Sequence, residues 1–417
     1  MARWTAALMA LALVGCAAAG EDSPPAAASA QFTEAETFGS LPPSAATIAM
    51  RWQLLNADVN AFTFRNTHDV FAFRTVAAPA EARELAQGQA MALPAAMVDG
   101  AEADYAAWAD RTFTNAFLVL KDGAVVFEDY RNRMTADTPH IAFSMTKTIT
   151  AMLMGQALER GEIDSLDDLA SKYVPALATG AYGRATLRNI LEMRSGADID
   201  ERYDFGANPS LAGQIHETAI IRNERRFADF AVGLGSRTDP GSTFNYATLD
   251  TAVLGQVLEE ATGQRFEDLM QDRLWQPIGA EYDGHFLADG PVGTGRALNG
   301  MGFNATLRDF ARLGQLMLDD GMVGETRVLP EGWVGQMTAM KPTGAPAGAG
   351  FPGYGFQTWQ VDAEAGAYSA VGLAGQWIYV HPATRTVIVK LSYHPPVEPA
   401  WLTPEVLGYF ARVANAG

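Results

Sequence analysis

Ser144-Met145-Thr146-Lys147-Thr148-Ile149-Thr150-Ala151-Met152-Leu153-Met154-Gly155-Gln156-Ala157-Leu158 is the stretch that decides the reading of this chain. It is the most apolar helical run in the sequence and stops at Gly161, glycine being a common helix terminator. Residues three apart share a helix face, so Ser144 and Lys147 project together from the first turn. The Ser144 N–H falls among the unpaired donors of a helix start. Apolar surroundings disfavour an ammonium and lower the pKa of a lysine towards the range where it can take a proton from serine. A hydroxyl, a poised amine and a free N–H are the parts of an acyl-transfer site. Four-residue patterns with two fixed positions recur by chance, so other elements must agree with this one.

Two others do. Pro240-Gly241-Ser242-Thr243-Phe244-Asn245-Tyr246-Ala247-Thr248 reads as a turn that delivers Tyr246 just before a helix running from Asp250 to Ala261. Beside a lysine ammonium, the phenolate of Tyr246 is stabilised enough to act as general base on the serine and then as acid on the leaving group. Val371-Gly372-Leu373-Ala374-Gly375-Gln376 enters a strand, and its glycines let the backbone approach a substrate closely. An N–H there can pair with that of Ser144 as an oxyanion hole.

Around these elements, Asn115–Leu120 and Ala124–Tyr130 read as two strands joined by an Asp-Gly turn, a strong hairpin signal. Gly375–His381 and Thr386–Ser392 repeat the pattern, and Pro404–Val413 is helical. Strands at both ends with a long helical middle predict an α+β domain, an antiparallel sheet formed by both ends of the catalytic unit with a mainly helical subdomain inserted.

The chain has 417 residues, 48% of them hydrophobic, enough for a large core and too apolar for disorder. A formal charge of −18 argues against nucleic acid as a partner, because phosphate backbones are bound by Lys and Arg displacing counterions. The six histidines, His68, His140, His216, His285, His381 and His394, show no metal-ligand spacing. Neither a metal nor another cofactor is expected.

Arg3, an apolar stretch to Val14 and Leu13-Val14-Gly15-Cys16 form an export signal, too short to span a bilayer. Cys16 closes a run resembling the lipobox of bacterial lipoproteins and is the expected lipidation site. It is also the only cysteine in the chain, so no intramolecular disulfide can form. The expected organisation is a signal peptide (1–15), a flexible Ala/Pro/Ser-rich tether (16–44), an N-terminal extension packed on the catalytic domain (45–101) and a hydrolase domain (102–417). The expected location is the cell envelope, with the domain lipid-anchored to the membrane and facing the periplasm, or secreted if Cys16 is not lipidated.

In order and separation, the three motifs resemble those of the penicillin-recognising serine hydrolases: class C β-lactamases, D-alanyl-D-alanine carboxypeptidases and related esterases. Ser144 and Lys147 match the S-x-x-K, Tyr246 the tyrosine of the second motif and Gly372 the glycine of the third, and the likeness covers about residues 100 to 417. Thr186–Gly196 and Gly302–Gly314 look like landmarks of the helical region. Within the family the chain looks most like the 6-aminohexanoate-dimer hydrolases and their esterase relatives, through Arg194-Ser195-Gly196 leading to Glu201-Arg202-Tyr203, Asn304, Gly372–Gln376 and the Phe62–Asn66 extension. That resemblance implies a Ser144, Lys147 and Tyr246 relay. It also implies oxyanion donors at Ser144 and Leu373, Tyr203 reaching the scissile amide from a loop, and Asn304 and Gly372 lining the substrate pocket.

Two departures stand out. Thr248 replaces the usual Asn or Ser of the second motif, and Ala370 stands where β-lactamases have Lys and many esterases His. The expected activity is hydrolysis of a linear, small-molecule amide or ester through an acyl-serine. The alternatives are a β-lactamase or carboxypeptidase-like enzyme, and a non-catalytic envelope lipoprotein that binds peptidoglycan or a partner. The intact Ser144, Lys147 and Tyr246 speak against the last.

Overall fold

Period-two alternation in the strands builds a sheet with two buried faces. In the computed structural model, which describes residues 42–291, 293–345 and 350–416, nine strands form the main sheet. They are β1 (Ala86–Gln87), β2 (Thr114–Lys121), β3 (Ala124–Tyr130), β4 (Lys341–Pro342), β5 (Gly353–Tyr354), β6 (Trp359–Asp362), β7 (Ala367–Gly372), β8 (Gln376–His381) and β9 (Thr386–Ser392), in the order β4-β5-β6-β7-β8-β9-β2-β3-β1. Strand β9, from the C-terminal part, pairs antiparallel with β2 from the N-terminal part, Thr386 opposite Lys121 and Lys390 opposite Phe117. All ladders are antiparallel except the short β1–β3 edge. The expected sheet closed by both ends is therefore present.

Each central strand sends alternate residues to two cores. Ala116, Leu118 and Leu120 of β2, with Val387, Val389 and Leu391 of β9, face the large core under the helical region. Phe117, Val119 and Ile388 face a smaller core with Trp108 and the C-terminal helix α5 (Leu402–Asn415). That helix contributes Leu402, Val406, Tyr409, Phe410 and Val413, a single apolar stripe at helical spacing. The Asp122-Gly123 turn takes positive φ at both residues, 48° and 79°, the geometry that favours this pair in two-residue hairpins.

Helices α1 (Ala45–Arg51), α2 (Thr146–Glu159), α3 (Thr248–Thr262) and α4 (Leu307–Leu318) complete the frame that concerns the site. Helix α2 buries every residue from Thr146 to Ala157, its polar side chains Lys147, Thr148, Thr150 and Gln156 each finding a hydrogen-bond partner. A second, four-stranded sheet (Phe73–Val76, Gly284–Leu287, Phe303–Ala305, His140–Ile141) leads directly into α2.

The N-terminal segment is tied to this frame by buried polar contacts. Arg51 bonds the carbonyls of Val70, Ile220 and Ile221, and Asn60 bonds those of Tyr393 and His394. The expected signal peptide, Cys16 and all but residues 42–44 of the expected tether lie outside the described residues, and Ser44 already caps α1 through Thr47. No helix among the described residues is long and apolar enough to cross a membrane.

Candidate active site

Ser144 sits in a 3₁₀ turn, Phe143–Met145, immediately before α2, so it lies just ahead of the α-helical turn expected for it. The preceding Phe143 has φ 44°, a costly conformation for an aromatic residue. It is held from both sides. The Ile141 N–H bonds Phe64 O at 2.9 Å, the Ala142 N–H bonds Phe303 O at 2.8 Å, and the Phe143 ring meets Phe64 edge-on at 5.0 Å. The end of β7 closes over the same turn, and a Cβ on Gly372 would lie 2.1 Å from Ala142 O. The glycine expected to let a strand approach a substrate thus lets it approach the protein's own nucleophile turn.

Lys147, buried in α2, reaches back along the shared face, its Nζ 3.0 Å from Ser144 Oγ. Two further acceptors, Thr248 Oγ1 at 2.9 Å and Gly300 O at 2.8 Å, complete its shell. Burial lowers the Lys147 amine to about 8, against the opposing pull of Glu201 and Asp250. At that value about a tenth of the amine is neutral at pH 7.

Tyr246 is placed by its neighbours. The Asn245 N–H bonds Met193 O, the Asn245 amide bonds Ile199 O and the Gly241 N–H bonds Arg194 O, so the Met193–Ile199 segment carries the second motif. The Tyr246 ring centroid is 5.0 Å from Lys147 Nζ, and Tyr246 and Ser144 line the same cavity. Burial raises this phenol far above its ordinary value; the neighbouring Ser144 hydroxyl opposes the rise and Glu201 adds to it. The expected phenolate is therefore disfavoured, because the same desolvation that frees the lysine amine holds the phenol neutral.

Two carboxylates escaped the sequence reading. Glu201 accepts the Thr248 N–H at 2.8 Å, the Thr248 hydroxyl at 2.5 Å and the Tyr203 hydroxyl at 2.5 Å. Thr248 at the third place of the motif thus bridges Lys147 to a carboxylate at the start of α3. Asp250, wholly buried, accepts from Tyr182 and Ser195 at 2.7 and 2.8 Å and is pushed up to about 7 by burial. Glu201 was visible beside Tyr203, and Asp250 as an acid in a first helical turn, but neither position advertises its partner.

Ser144, Tyr246, Tyr203, Gly372 and Leu373 share one cavity of about 620 Å³ with Glu201, Thr248 and His216. Tyr203 is on its wall, with the hydroxyl committed to Glu201, and Leu373 is 48% exposed at its edge. Asn304 does not line the cavity. It is buried in the small sheet, accepting from Thr67 at 2.7 Å and donating to Gly302 O at 2.9 Å; the strand turns its side chain into the protein. Among the described residues no group of three or more His, Cys, Asp or Glu is placed to hold a metal.

The family model described as Beta-lactamase matches residues 107–401. The chain belongs to the beta-lactamase family. It is 33% identical over 299 residues to the 6-aminohexanoate-dimer hydrolase of Paenarthrobacter ureafaciens, covering 69% of this chain and 74% of that one. A candidate 6-aminohexanoate-dimer hydrolase from Bacillus anthracis has the same fold, with TM-score 0.77 at 23% identity over 87% of this chain and 95% of that one. A family VIII carboxylesterase is more distant, with TM-score 0.57 at 15% identity over 74% of this chain and 95% of that one.

The chain is thus a hydrolase of the beta-lactamase fold. The third-motif strand of this chain carries no cation at Ala370. Ala370 is buried on β7 opposite Ile378, with no charge to offer a carboxylate.

Proposed function

We propose that this protein is a serine hydrolase that cleaves a linear ester or amide through an acyl group on Ser144. The observation that carries the reading is the buried Lys147 amine, lowered to about 8 and 3.0 Å from Ser144 Oγ inside a substrate-sized cavity. The neutral Lys147 amine takes the hydroxyl proton as Oγ attacks the carbonyl carbon. The N–H groups of Ser144 and Leu373 receive the oxyanion. The Tyr246 phenol gives its proton to the departing oxygen or nitrogen and is reprotonated by the Lys147 ammonium. Water then attacks the acyl-serine with Lys147 again as base, and the free acid and Ser144 hydroxyl are restored.

The buried Ala370 disfavours β-lactams, since a charge-assisted contact is worth about 1.5–3 kcal/mol. Uncharged esters are better substrates on this reading.

A fluorophosphonate probe, with mass spectrometry of the adduct, tests the assignment. Ser144 should carry the label, Ser144→Ala should abolish both labelling and ester turnover, and Lys147→Ala and Tyr246→Phe should each lose about a thousandfold, non-additively. Near-normal turnover by Lys147→Ala, or nitrocefin turned over faster than short esters, refutes it. An unlabelled, inactive wild type would return the chain to a binding role.

A further inference from the structure

The cavity beside Ser144 is walled by rings from parts of the chain far apart in sequence. Trp52, which ends α1, meets Phe205 edge-on at 4.9 Å and lies 6.2 Å from His216, and Leu54 and Leu55 follow it into the lining. A second cluster joins Trp359 to Phe351 at 5.0 Å and to Tyr246 at 5.3 Å.

The charges around this space are already committed. The Arg51 guanidinium is buried and bonded to Val70, Ile220 and Ile221 carbonyls and to Asn223. Glu201 accepts from Thr248 and Tyr203, and burial lowers His216 to about 4, leaving it neutral. Among the described lining residues, then, the guanidinium of Arg51 is spent on protein acceptors rather than left to compensate a carboxylate, while the Glu201 carboxylate repels one.

Resting on the hydrolase reading above, we propose that the site selects substrates in which one group flanking the scissile carbonyl is uncharged and apolar, of aryl or medium alkyl size. On this proposal Trp52 and Leu55 of the N-terminal segment act as specificity-determining residues. Burying apolar area against fixed rings favours each added methylene, whereas a carboxylate carried into the same space loses its hydration without a partner. The volume of about 620 Å³ is that of a small-ligand site. Trp52, Leu54 and Leu55 bring one side of this wall from the segment before the hydrolase domain, outside the three motifs.

The test uses two ester series followed by pH-stat: methyl esters from acetate to hexanoate, and acetate esters from methyl to hexyl. At least one series should rise tenfold or more in kcat/KM with chain length. In that series, replacing the terminal methyl by a carboxylate, as in monomethyl adipate, should cost at least tenfold. Trp52→Ala should reduce the long-to-short ratio at least tenfold and Trp52→Phe should restore most of it. Leu55→Ala gives a second reading should the tryptophan variant fail to fold. Flat series with Ser144-dependent turnover, or a carboxylate tolerated at full rate, overturn this proposal and leave the hydrolase reading standing. No ester turnover and no fluorophosphonate labelling overturn the hydrolase reading itself.

Discussion

Glu201 stands one hydroxyl away from the proposed base, and its charge sets where that base titrates. The Nζ–Thr248 bond of 2.9 Å and the Thr248–Glu201 bond of 2.5 Å put the carboxylate within about 5 Å of the amine. Two unit charges at that distance interact by about 3 kcal/mol at an effective dielectric near 20. Glu201 is half-buried at the cavity, so solvent screening reduces this to about half. One pKa unit corresponds to about 1.4 kcal/mol, and Glu201→Gln should lower the Lys147 amine by about one unit from its value near 8.

The sign follows from the direction of Coulomb's force. The carboxylate favours the ammonium, so its removal favours the free amine, and the active form persists to lower pH. The acidic limb of kcat/KM, which reports the free enzyme's base, should move down by about one unit, while the plateau changes less than the limb. The assay is kcat/KM for p-nitrophenyl acetate from pH 5.5 to 9.5 on both proteins, corrected for spontaneous hydrolysis. A limb that stays in place or moves upward refutes the electrostatic coupling. If only the plateau fell, Glu201 would be holding Thr248 and Tyr203 in position without tuning Lys147.

The remaining predictions concern the two other walls of the site. Gly372→Ala places a Cβ against Ala142 O, so it should lower the melting temperature by several degrees and slow fluorophosphonate labelling at least a hundredfold. Gly335→Ala, with nothing within 4 Å of the added Cβ, is the control; identical behaviour of the two variants would refute the contact. Tyr203→Phe should cut hydrolysis of hexanoyl p-nitroanilide about tenfold or more, ~1.4 kcal/mol, and leave p-nitrophenyl hexanoate within a few-fold, because an amide nitrogen needs help to leave. Equal losses on both substrates would show that the phenol only supports Glu201.

The elements governed by short-range periodicity were legible in the chain itself. Alternation in β2, β8 and β9, the Asp122-Gly123 turn and the apolar stripe of α5 each depend on neighbours in sequence, and so does the three-residue spacing that brings Lys147 to Ser144. Those features were sufficient to read an α+β fold and to pair Ser144 with Lys147. Tertiary packing alone decided what surrounds them. Gly300 O bonds Lys147 across 153 positions, and Thr248 bonds it across 101. Trp52 and Trp359 line one cavity from opposite ends of the chain, and Asn304, expected at the pocket, faces Thr67 in the small sheet. Desolvation likewise belongs to the folded state: the burial that lowers Lys147 also keeps Tyr246 a neutral phenol. A spacing of three or two residues is written into backbone geometry, whereas a contact or a dielectric depends on which distant surfaces the packed core brings together.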